Sequence, residues 1–298
     1  MADTALWIGA ALTASVAQTA RNATQASLTA AIGTVGATQV RFLFGLPFAV
    51  IFLILVSQIS GQAIPQIPLR ALGFTALGAL AQIGATALML RLMQTRSFAV
   101  TTAWIKTEPV LVAVSAALIL GDPLTPPMLL AIGIATAGVL LISVKRGAAL
   151  AELTPALTGL FAGLLFGISA IGFRGGITGL PQGDFLIRAT TTLVLSLMMQ
   201  ASLLALWMAL FNRPALAASF RVWKSSLGAG FLGAFASQFW FIGFSLTSAA
   251  NIRTLALVEV ILATAVSRYV FRQAVSKRQI AGMAVVIAGI ALLLRNQP

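Results

Sequence analysis

The chain has 298 residues, 59% of them hydrophobic and only 8% charged, with a mean hydropathy of +1.00. Soluble domains carry about 25% charged residues, because a surface facing water must be solvated; this composition excludes a soluble domain and a disordered chain alike. With no Cys and no His, a disulfide framework and thiolate chemistry are excluded, and the commonest general base and metal ligand are missing.

A helix crossing a hydrocarbon core of ~30 Å needs about 20 mostly apolar residues. Ten such runs are predicted, near 5–27, 37–58, 69–91, 97–119, 127–144, 156–176, 184–210, 225–247, 250–270 and 277–295. The expected fold is all-α, with ten transmembrane helices. A membrane barrel would alternate polar and apolar positions in segments of about ten residues, and Val110–Leu120 and Met283–Leu294 do not.

The first run contains Ala14-Ser15-Val16-Ala17, which has the look of a signal-peptide cleavage region. A signal peptide wants positive charge ahead of its apolar stretch, whereas this chain has Asp3 there and Arg21 after it, so the run is read as a retained helix with Arg21 nearer an interface. Ser15, Gln18, Asn22 and Gln25 share one face of that helix. Such a stripe serves as a hydrophilic cavity wall or as interhelical hydrogen bonding, and Gln18 and Asn22 are candidate wall residues. Gln82 in the third run and Gln238 in the eighth are further candidates, each set among small residues. Trp7 and Trp223 fall near predicted helix ends and suit interface anchors, whereas Trp104, Phe239 and Trp240 lie deeper, where a ring can stack on an aromatic or cationic solute. Gly163-x-x-x-Gly167 in the sixth run reads as a packing face, and Thr154-Pro155 as an N-cap and first-turn proline.

Charges at membrane depth are costly and mark substrate or ion pathways by default. The candidates are Lys106 and Glu108 in the fourth run and Arg253 and Glu259 in the ninth. Pro109 removes a backbone hydrogen bond beside Glu108 and frees a carbonyl for a ligand. Lys106 lies on a different helix face from Glu108. Cross-repeat pairs of Lys106 with Glu259 and of Arg253 with Glu108 offer a structural clasp as an even alternative to direct substrate or proton contact.

At an offset of 151 residues, Glu108 falls on Glu259, Gly138 on Gly289 and Ala137 on Ala288; at a slightly different offset, Arg41 matches Arg188. Two rare mid-membrane acids at one offset argue for repeats, 1–147 and 148–298, joined across Lys145-Arg146-Gly147. Five helices per half force the second half to enter from the opposite side, giving an inverted-topology repeat with its site near the midplane.

The sequence resembles the drug/metabolite transporter superfamily and its ten-helix EamA-type exporters. The likeness rests on Thr38-Gln39-Val40-Arg41-Phe42-Leu43-Phe44-Gly45-Leu46-Pro47, on Thr107-Glu108-Pro109-Val110, and on Leu118-Ile119-Leu120-Gly121-Asp122-Pro123-Leu124-Thr125. The second half departs from the family pattern: Val260 stands where a proline is expected, and Phe271-Arg272-Gln273-Ala274 replaces the Gly-acidic turn. The resemblance implies export of amino acids, including aromatic ones, or other small metabolites. It also implies a cavity lined by helices one, three, four, six, eight and nine, with two, five, seven and ten peripheral.

The excess of 19 Lys+Arg over 6 Asp+Glu would suggest nucleic acid in a soluble protein; in a membrane protein it records loop orientation, and no nucleic-acid partner is expected. Eleven bases, Arg91 to Arg278, fall in the loops after the third, fifth, seventh and ninth runs, against Arg70, Arg174, Arg188, Arg253 and Arg295 on the other side. This count predicts both termini outside a bacterial inner membrane, while the resemblance favours termini inside.

Metal-dependent hydrolysis lacks ligands, a nucleophilic Ser lacks a His partner, and no phosphate-cradling loop is present. The expectation is a secondary transporter, not an enzyme, without cofactor or metal, acting as a monomer on an amino acid-like solute. An exporter of drugs or organic cations is the alternative, which acids without cationic partners would favour; a non-transporting membrane enzyme or scaffold, lacking any cavity between the repeats, is the third reading.

Overall fold

The computed structural model describes residues 2–106, 108–143 and 153–295, which form thirteen helices and, among the described residues, no strand. In chain order these are α1 (Ala2–Leu43), α2 (Leu46–Ser60), α3 (Leu69–Met93), α4 (Phe98–Ile105), α5 (Pro109–Leu120), α6 (Pro126–Ser143) and α7 (Leu153–Thr178). There follow α8 (Phe185–Phe211), α9 (Arg213–Arg221), α10 (Trp223–Leu246), α11 (Ala249–Leu255), α12 (Val258–Tyr269) and α13 (Lys277–Arg295).

Among the described residues, seven helical stretches are long and apolar enough by themselves to cross a membrane. The difference from the ten sequence runs has three sources. The first stretch, Asp3–Ser60, contains two runs, because α1 is interrupted at Gly33 (φ 71°, ψ 170°). That backbone conformation is open essentially to glycine alone. The fourth run is split between α4 and α5, each too short to span, and the apolar part of α6, Pro126–Ile142, falls just under the length of a full crossing.

The ninth run is split as well, between α11 and α12. The two breaks, at Lys106–Glu108 and at Ala256–Leu257, fall at nearly equivalent places in the two halves. Pro109 explains the first, since it has no N–H to continue the ladder. The carbonyl it frees, that of Ile105, abuts Gly163 of α7, where a Cβ would stand 2.5 Å from the oxygen. The second break has no proline; Leu257, Glu259 and Val260 instead donate to carbonyls three residues back, a local tightening of the helix.

The turns that close α5 and α12 are also equivalent. The N–H of Asp122 reaches the carbonyl of Ala116 (3.4 Å), and the N–H of Gln273, 151 residues on, reaches that of Ser267 (2.8 Å). Gly121 is left-handed at φ 72°, and its counterpart Arg272 adopts φ 52° without being glycine.

Hydrogen bonds identify the two ends of the bundle. At one end Gln62 donates to Asp184 (2.7 Å), and Asp122 joins Arg174 to the start of α11. At the other, Gln94 donates to Thr34 (3.1 Å) and the N–H of Ala99 to Ser267 Oγ (3.0 Å). α6 and α13 cross so closely that a Cβ on Gly138 would lie 2.6 Å from Val286 N, and one on Gly289 2.5 Å from Ala135 N. Large apolar side chains on α2, α6, α8 and α13, such as Ile54, Leu130, Leu206 and Ile287, point outward, as lipid-facing surfaces do.

Three placements differ from the sequence reading. Trp7 is buried in the core rather than anchored at an interface; Trp223 is exposed. Thr154 lies inside α7, which begins at Leu153, so it is not the N-cap; Lys145-Arg146-Gly147 lies outside the described residues. Arg21 is fully buried, because the first helix continues to residue 32 and not to 27, which sets position 21 deeper.

Candidate functional site

The two breaks bring both mid-membrane acids to one small cavity. Its wall is made by Gln18 and Asn22 of α1, Met89 of α3, Thr102 and Ile105 of α4, Lys106 and Glu108 of the first break, Phe166 of α7, Arg253 of α11 and Glu259 of α12. Its free volume of about 10 Å³ suits a single ordered water, so in this conformation the centre is closed to an organic solute.

Glu259 is fully partnered. Lys106 Nζ lies 2.9 Å from its Oε1, and Gln18 Nε2 donates to both carboxylate oxygens at 3.0 and 2.8 Å. The indole N–H of Trp240 in turn donates to Gln18 Oε1 (2.8 Å), which fixes the amide so that its NH₂ faces the acid. Lys106 and Arg253 sit 5.7 and 6.0 Å from the Trp240 ring, within reach of cation–π attraction.

Glu108 is held differently. Arg253 Nη1 is 3.8 Å from its Oε1, an ion pair too long for a hydrogen bond, and neither carboxylate oxygen has a hydrogen-bond partner among the described residues. Arg253 spends its Nη2 on the carbonyl of Phe166 (2.9 Å). Both pairs cross between the halves: Lys106 to Glu259 and Glu108 to Arg253.

The remaining candidates stand away from the cavity wall. Gln82 accepts from Gln200 (2.9 Å), and Gln238 donates to Thr190 (2.8 Å). Trp104 packs against Gly159 of α7. Of the polar stripe on α1, Gln18 and Asn22 face the cavity, while Gln25 crosses the Gly33 break to the carbonyl of Ala37 (2.7 Å). Gly163 and Gly167 let α7 approach Ile105 and Val112, so this packing face supports the first break directly.

Three arginines matter more than the sequence reading allowed. Arg174 grips Asp122 through Nε and Nη2 (2.7–2.9 Å) and donates from Nη1 to the carbonyls of Phe244 and Thr247. Asp122 also accepts from the N–H of Ala249 (3.1 Å), so one clasp ties α5, α7, α10 and α11 at one end. Arg21 and Arg41 lie buried beside the central site, at 0% and 1% exposure. The signal for Arg21 was present in Ala30-Ala31-Ile32, apolar residues that extend the first helix up to Gly33.

A helical bundle with lipid-facing apolar sides, two broken helices and a charged cavity between them is that of a multi-pass membrane transport protein. The sequence profile of the EamA-like transporter family matches residues 5–144 and again residues 153–295. The chain belongs to that family. No protein of curated function matches the sequence significantly. A protein of known crystal structure, 17% identical, superposes with a TM-score of 0.70 over 98% of each chain and shows the same fold.

Proposed function

We propose that this protein is a secondary transporter that moves amino acids or similar small metabolites out of the cell by alternating access. In this reading the chain crosses a bacterial inner membrane ten times as two inverted five-helix repeats, 1–147 and 148–298, with both termini outside, and works as a monomer. The carrying observation is the closed cavity at which two acids, one from each half, each meet a base from the other half.

A cavity between the halves supports transport over a scaffold. The bases beside both acids support a solute that brings its own carboxylate over a simple organic cation. Glu108, without hydrogen bonds and with Arg253 no nearer than 3.8 Å, is placed to take an amine, and Asn22 and Lys106 on the same wall are placed to meet a carboxylate. Equivalent breaks, equivalent turns and the Gly138–Gly289 correspondence support the inverted repeat.

Uptake of labelled amino acids into proteoliposomes tests the assignment. Saturable uptake of at least one is expected, and none across the common set would sink it. Orientation has its own test, because the chain has no cysteine. In intact cells an impermeant maleimide is expected to label Ser60→Cys and to spare Ala274→Cys; the reverse pattern places the termini inside.

A further inference from the structure

We propose that Arg21 and Arg41 form an oxyanion subsite, which makes the solute a net-anionic one carrying a carboxylate or phosphate beyond what the Glu–base pairs can balance. The proposal rests on the transporter reading above and names the substrate class for it. Six charged side chains are buried among the described residues: Arg21, Arg41, Lys106, Glu108, Arg253 and Glu259. Four bases face two acids, and the acids already hold Lys106 and Arg253. The unbalanced positive charge therefore sits on Arg21 and Arg41.

Neither arginine has an acid within 4 Å among the described residues. Arg21 directs Nε and Nη2 at one amide oxygen, Asn22 Oδ1 (3.2 and 2.7 Å), and its Nη1 has no partner. Arg41 donates from Nη1 to the Thr86 hydroxyl (3.0 Å), and its Nε has no partner. Both stems converge on α10 at Gly233, where a Cβ would stand 3.2 Å from Arg41 Cγ and 3.5 Å from Arg21 Cδ. Two buried arginines whose stems meet at one residue, each holding only a neutral acceptor and each with a spare buried donor, have donors to offer an oxyanion.

Neither arginine lines the cavity wall itself; the subsite adjoins it through Asn22, which lines the wall and accepts from Arg21. An oxyanion entering there replaces the Asn22 amide as the acceptor for Arg21. Lipid phosphate is not the occupant in this state, since both side chains are closed off from the surface. A neutral zwitterion leaves the charge excess in place, whereas a dicarboxylate or a phosphomonoester removes it.

The test is thermal unfolding of the purified full chain in detergent, at constant ionic strength, with succinate, glycerol 3-phosphate, leucine or tetraethylammonium. Succinate, glycerol 3-phosphate or both are expected to raise Tm by a few degrees with saturation, and leucine and tetraethylammonium to leave it unchanged. Succinate alone assigns a carboxylate, and glycerol 3-phosphate alone a phosphate. Arg21→Gln and Arg41→Gln should abolish the shift, and Arg41→Lys should weaken it roughly tenfold, since an ammonium lacks the fork.

Asn22→Asp guards against variants that fail to fold. It gives Arg21 an internal carboxylate, so it is expected to raise the basal Tm and to lose the anion-dependent shift. The proposal is overturned if neither anion shifts Tm, if the shift persists unchanged in Asn22→Asp, or if it rises linearly with any salt. Saturable leucine uptake without anion binding overturns this proposal and leaves the transporter reading standing. Anion binding that depends on both arginines, without uptake of any solute, does the reverse.

Discussion

Lys106 and Glu259, from the broken helices of opposite halves, meet at 2.9 Å with both side chains almost wholly buried. The contact ties the first break to the second, and Gln18 and Trp240 complete it from α1 and α10. A buried ion pair of this kind is costly to split, because the remaining charge keeps its desolvation penalty without its partner.

Lys106→Met should therefore destabilise the protein by about 3–5 kcal/mol. Glu259→Gln should cost less than that, since the amide still accepts one hydrogen bond from Gln18. The double variant is expected to recover most of the loss. Thermal unfolding of the four proteins closes the cycle, and strictly additive losses would show that the pair is not energetically coupled.

Glu108 should behave otherwise. With only a 3.8 Å ion pair and no hydrogen bond to its carboxylate, Glu108→Gln is expected to cost less stability than Lys106→Met, about 1–3 kcal/mol for the buried charge it leaves on Arg253, while lowering transport strongly. Unfolding and proteoliposome uptake on the same preparation separate the two effects. Wild-type transport in this variant would remove Glu108 from the mechanism.

Arg272 holds the left-handed conformation that Gly121 holds in the first half. Since a side chain disfavours that region by roughly 1–2 kcal/mol, Arg272→Gly should stabilise the protein by about 1 kcal/mol once the added freedom of the unfolded chain is counted. A lowered Tm would mean that the exposed Arg272 side chain makes a compensating contact.

The Asp122–Arg174 clasp closes one end of the bundle, and its counterpart at the other end, Gln273, carries no charge. In a Ser248→Cys background, Asp122→Asn should raise the rate of maleimide labelling by roughly tenfold, because a bidentate charge-assisted contact is lost. An unchanged rate would show that the clasp does not limit access at that end.

The membrane fold was legible in apolar run length, the family resemblance in the motifs at Thr38–Pro47 and Leu118–Thr125, and the cross-pairing of the four charges in their depth and the Glu108–Glu259 offset. The breaks were only half legible. Pro109 marks the first, but Ala256–Leu257 contains no residue that disfavours a helix, and its interruption shows only in the tightened hydrogen bonds of Leu257, Glu259 and Val260. Arg21 and Arg41 were legible as residues but not as a buried pair, since Arg21 reads as nearer an interface and Arg41 as a marker of the repeat. Depth was judged from run boundaries, and extending the first helix by five residues moves Arg21 by about 7.5 Å along the axis. Gln82, Gln238 and Trp104 show the converse: a polar or aromatic residue at membrane depth is as readily satisfied by a neighbouring helix as by a solute.

The close crossing of α6 and α13 has a mechanical consequence. Where Gly138, Gly282 and Gly289 press against the facing backbone, only the buried side chains of Ile142, Val286 and Ala135 fill the seam, with no room to change rotamer. Sliding there would open voids along both chains, and so the two helices move as a single strut. The slack for an opening motion must come from elsewhere, and it lies at the break before Pro109 and at Ala256–Leu257, where the regular helical ladder is interrupted. The protein is thus stiff at its rim and jointed at its centre, with the joints beside the residues that carry the charge.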